Sequence, residues 1–70
     1  MQLCKPMFLD IETNGLNPDT IWVAVTMQDG VVQEHYTPET LTTALAGSFK
    51  VIGHNLLGFD LPVLERIWNV

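Results

Sequence analysis

Apolar and polar residues alternate near the start of the chain, and later the spacing changes. Met7, Leu9 and Ile11 are apolar at every second position, with Phe8, Asp10 and Glu12 between them. Period two marks a strand with one face packed into a core, so a first strand is predicted from about Lys5 to Glu12. Asn14-Gly15 and Asn17-Pro18-Asp19 then supply turn chemistry. A second strand is predicted over about Thr20 to Gln28, with Ile21, Val23, Val25 and Met27 on one face. Asp29-Gly30 is a two-residue hairpin signal leading into a third strand at about Val31 to Tyr36, which completes an antiparallel meander.

After Tyr36 the pattern becomes helical. Thr37 can cap, Pro38 suits the first helical position, and Glu39 favours the positive end of the helix. Leu41, Ala44 and Leu45 form the apolar stripe, and Gly47 is expected to end the helix. Lys50 to Gly53 reads as a short fourth strand. A last helix is expected to open near Asp60, with Pro62 in its first turn and Leu61, Leu64, Ile67 and Trp68 at helical spacing. The order is βββαβα, an α/β arrangement in a single domain spanning residues 1–70.

Composition narrows the function classes. The apolar fraction of 47% suits a folded domain and is too high for a disordered tail. The net charge is −5, with Lys5, Lys50 and Arg66 the basic side chains. That balance argues against nucleic-acid affinity through phosphate contacts alone. A single cysteine, Cys4, excludes an intrachain disulfide and a multi-cysteine zinc site. No apolar run reaches membrane-spanning length and no signal-peptide pattern opens the chain, so a cytoplasmic location is expected.

Two segments carry candidate chemistry. In Asp10-Ile11-Glu12 the two carboxylates project from one face of an apolar strand. Burying such a pair without a cation is costly, which points to a hard divalent metal. The second segment is His54-Asn55-Leu56-Leu57-Gly58-Phe59-Asp60, followed by Pro62 and Leu64. Read alone, Asp60 is most simply a helix N-cap, Asn55 a turn residue, and Phe59 and Trp68 core aromatics. Trp22 is by default a core or edge aromatic, His35 reads as a solvated edge-strand residue, and His54 as structural.

Together the two segments resemble the first and second motifs of the DEDD (DnaQ-like) 3′–5′ exonuclease superfamily. The nearest likeness is to the N-terminal proofreading domain of family A DNA polymerases from short-tailed phages. The resemblance implies a partial ribonuclease H-like fold in which the fourth strand pairs parallel to the first. It implies that Asp10, Glu12 and Asp60 are catalytic carboxylates ligating two divalent ions, Mg2+ or Mn2+. It also implies that Thr13, Asn14, Gly15, Leu16, Asn55 and Phe59 contact the substrate, the 3′ end of single-stranded DNA. The product would be a nucleoside 5′-monophosphate. The third motif, which supplies a fourth carboxylate and a His or Tyr base, is absent from the sequence and would lie beyond Val70. The 70-residue chain is therefore expected to be an incomplete N-terminal part of such a domain, weakly active or inactive alone. A second polypeptide carrying the third motif and a polymerase domain would complete it. The alternative is a non-catalytic binding module that docks on a DNA polymerase or replication partner, using the open edge of the fourth strand.

Overall fold

The computed structural model describes residues 6–47 and 50–70. Four strands form one mixed sheet in the order β3-β2-β1-β4, with β1 at Met7–Thr13, β2 at Ile21–Gln28, β3 at Val31–His35 and β4 at Val51–Ile52. β1–β2 and β2–β3 are antiparallel, whereas β1–β4 is parallel. Helix α1 spans Pro38–Leu45, a π-helical turn spans Leu56–Asp60, and helix α2 follows at Leu61–Trp68. The element order is the expected one, with the π-helical turn added between β4 and α2. Lys5, the expected start of the first strand, and Cys4 lie outside the described residues. Among the described residues no helix is long and apolar enough to cross a membrane.

Each junction follows from local chemistry. Asp29 and Gly30 both have positive φ, 54° and 78°, the geometry of a type I′ hairpin turn. Thr37 occupies the N-cap position of α1 in an extended conformation, but its side chain makes no capping bond. Instead the Thr40 hydroxyl donates to the Thr37 carbonyl at 3.2 Å. α1 ends at Leu45, with Ala46 as its C-cap and Gly47 next, through a bond from the Ala46 N–H to the Thr42 carbonyl at 3.0 Å. α2 ends on Asn69 at φ 57°, with the Val70 N–H donating to the Leu64 carbonyl at 3.3 Å.

One face of the sheet is packed and the other is open. Leu9, Ile11, Ile21 and Ala24 are buried beneath Leu41 of α1 and Val63 and Leu64 of α2, and Phe59, Ile67 and Trp68 pack at the margin. Three expectations change here. First, Ile21 points into the core while Val23, Val25 and Met27 do not. Thr13 pairs with Ile21 and Glu12 with Val23, so Trp22 is an extra residue in β2 that slips the alternation. Ala24 and Thr26 thereby become core residues, and Trp22 is left 59% exposed. Second, His35 is buried, not solvated. Its Nε2 lies 2.8 Å from the Thr26 hydroxyl and its Nδ1 3.3 Å from that of Thr40, which ties β2, β3 and α1 together. Third, Leu61 is exposed and Val63 takes the inward position on α2.

Candidate acidic site

The site is built where β1 passes the chain leaving β4. A Cβ on Gly53 would sit 3.0 Å from the Leu9 carbonyl oxygen and 3.0 Å from Leu56 Cδ1. Only glycine lets the chain pass this close to β1 without displacing it. The crossing sets His54 and Asn55 beside Asp10. From there the Asn55 carbonyl accepts from the N–H groups of both Phe59, at 2.9 Å, and Asp60, at 3.2 Å, and the Leu56 carbonyl accepts from Leu61. The bonds from Asp60 to Asn55 and from Leu61 to Leu56 each span five residues and widen the turn into a π-helix, a geometry often found at functional positions. A Cβ on Gly58 would come 2.5 Å from Asn55 Oδ1, so any larger residue there would displace the Asn55 side chain.

Asp60 is the residue this turn delivers. It holds helical φ and ψ of −60° and −51°, and its side chain makes no capping bond to α2. The N-cap reading is therefore excluded for its carboxylate. Asp60 is 5% exposed and shares a cavity of about 260 Å3 with Asp10, Leu16, His54, Asn55 and Phe59. Burial pushes its carboxyl above the ordinary value, and the negative charge of Asp10 adds to the rise. Its own backbone N–H and His54 act weakly in the opposite sense. Two carboxylates from distant parts of the sequence thus face one cavity and repel each other.

The remaining expected residues divide by position. Asp10 and Glu12 project from the same face of β1, as the alternation requires, but both are exposed, so the pair itself is not buried and carries no desolvation demand. That demand falls on Asp60. Glu12 pairs with Val23 one step further along the strand and does not line the cavity. In the loop after β1, the Asn14 side-chain oxygen accepts from the N–H groups of Asp19 and Thr20, each at 3.2 Å, and its amide donates to Asp19 at 2.7 Å. The hydrogen bonds from Asn14 and Thr20 hold the Asp19 carboxyl below its ordinary value. The Thr13 hydroxyl donates to the Gly15 carbonyl at 2.9 Å, and Gly15 takes φ 145°. Thr13, Asn14 and Gly15 thus shape the loop, leaving Leu16, 94% exposed, at the mouth of the cavity. From α2, Arg66 donates to the Pro18 carbonyl at 2.6 Å and ties this loop to the helix that starts after Asp60.

His54, expected to be structural, is exposed and lines the acid cavity. The signal was present in sequence as Gly53-His54, a glycine that permits close passage followed directly by a polar side chain.

No protein-family model, curated protein or solved structure matches this chain. Among the described residues no group of three or more His, Cys, Asp or Glu side chains is arranged to hold a metal ion. Asp10 and Asp60 offer carboxylate oxygens to one space, which is part of a Mg2+ or Mn2+ ligand set.

Proposed function

We propose that this chain is the N-terminal part of a ribonuclease H-like 3′–5′ exonuclease domain, with Asp10 and Asp60 at its metal-binding centre. The observation that carries the reading is Asp60, a buried carboxylate brought against Asp10 without serving as a helix cap. A cation in the shared cavity would relieve both the burial and the repulsion. Asp10 and Asp60 are the residues to hold it, and Glu12, on the same face of β1, would serve a second ion nearer the solvent. Bound Mg2+ or Mn2+ would supply a lowered pKa for an attacking water and charge stabilisation for the leaving 3′ oxygen. The chain's own residues would position the nucleic acid. Leu16 and Phe59 offer apolar surface to the terminal base, and Asn55 a polar contact at the cavity rim. The choice of single-stranded DNA as substrate comes from the motif resemblance.

The absence of a three-carboxylate cluster among the described residues favours a second reading, a binding module with the same fold and no turnover of its own. One experiment separates the two. Anisotropy of a 3′-labelled single-stranded oligonucleotide is followed with and without Mn2+, together with release of mononucleotides. The exonuclease reading expects metal-dependent binding and slow release, both lost in Asp60→Asn. Binding indifferent to metal and to Asp60, with no release, would leave only the module.

A further inference from the structure

The open face of the sheet carries a pattern that the acid cavity does not use. Strand register places Ile52, Phe8, Met27 and Val32 side by side, one residue from each of the four strands. This apolar row crosses the entire sheet. Phe8, Met27 and Val32 are 44%, 40% and 60% exposed, and Val25 and Val23 extend the surface along β2. Beside Phe8 the face dips into a groove of about 320 Å3 bounded by Val25, Met27 and Ile52, with room for one large side chain. Contiguous apolar surface of this kind marks an interaction site.

Acidic side chains border this row along β1 and β3. Asp10 and Glu34 flank Val25 in the adjoining row, and Glu12 lies beyond on β1. A second copy of the chain stacked face to face would set these acids against their own counterparts, in a protein already at net charge −5. Asp10 and Glu34 stand two strand spacings apart, roughly 10 Å. Residues seven apart on a helix are separated by about 10.5 Å. We propose that this face docks a basic amphipathic helix of a partner polypeptide, with its apolar stripe on the Phe8–Met27–Val32 row, one large side chain in the groove, and two Lys or Arg residues seven apart over Asp10 and Glu34. Asp10 borders both this groove and the acid cavity, so a cation held there would compete with the partner's basic residue, and the test is made without added divalent metal.

The test uses the full chain, isotopically labelled, and two synthetic helical peptides of about 14 residues, long enough to cross four strands. Both carry a Leu and Phe stripe; one has Lys seven residues apart on its flank and the other Glu at those positions. The Lys peptide is expected to give saturable backbone shifts at Phe8, Val25, Met27, Val32 and Ile52, with affinity that falls as salt rises. Phe8→Ser and Val32→Ser, both at exposed positions, should each weaken it by about tenfold, as loss of an apolar anchor does. Glu34→Gln should remove much of the salt dependence, and Asp60→Asn should leave peptide binding unchanged. Equal binding of the Lys and Glu peptides overturns the proposal, as does binding insensitive to both serine variants. So does sedimentation showing that the chain alone pairs through this face.

Discussion

The two faces of β1 are built from alternate residues of one strand, yet they perform different work. Inward, Met7, Leu9 and Ile11 are buried at 3%, 3% and 7% exposure against the helices. Outward, Phe8, Asp10 and Glu12 stay in solvent. A small sheet stabilised from one side leaves its other side free for chemistry and contact, because substitutions there do not disturb the core. Asp60 breaks this division. It is a charged residue buried beside the core, carried there by the π-helical turn, and this exception marks the candidate site.

The sharpest way to test the division is to damage the packed face. Leu64→Ala should cost about 2–5 kcal/mol, the range for a fully buried leucine, and so remove much of the stability of a chain this short. Urea denaturation measures it. Next comes the polar pair within the core. Thr26→Val leaves His35 Nε2 without its partner at 2.8 Å, and should cost about 1–3 kcal/mol by the same measurement.

Asp60→Asn should act in the opposite direction. The folded chain raises the Asp60 carboxyl above 3.8, so protonation favours the folded state. The stabilisation linked to this proton is fully present below the ordinary value and is lost as pH rises through the raised one. At pH 7 the ionised form therefore costs stability, and Asp60→Asn should raise the urea midpoint there while leaving it unchanged near pH 3. An unchanged midpoint at both pH values would place Asp60 in water. The smallest effect belongs to the outer face, where Glu12→Gln should shift stability by no more than about 0.5 kcal/mol.

Much of the inner face was legible from the sequence. Alternation at Met7, Leu9 and Ile11 specified β1, Asp29-Gly30 specified the hairpin, and Pro38 marked the first residue of α1. What escaped depends on non-local structure. The slip at Trp22 arises from pairing with β1, and β2 alone shows an unbroken alternation. His35 is buried because Thr26 and Thr40, from other elements, satisfy both ring nitrogens, which no local window reveals. In the candidate site, the sequence supplied Asp10 and Asp60 as partners, and the structure sets both on one cavity. The π-helical turn was not legible, since it depends on how the chain folds back after passing β1 at Gly53.

Whether Asp10 and Asp60 share a cation is read by a Mg2+ titration followed by backbone NMR shifts, in the natural chain and in Asp10→Ala and Asp60→Asn. A shared cation site predicts saturable shifts at Asp10, at Asp60 and through the Leu56–Asp60 turn, lost in either variant. Shifts scattered over exposed acids such as Asp29 and Glu39, and unchanged by both substitutions, would show that the two carboxylates meet without holding a metal.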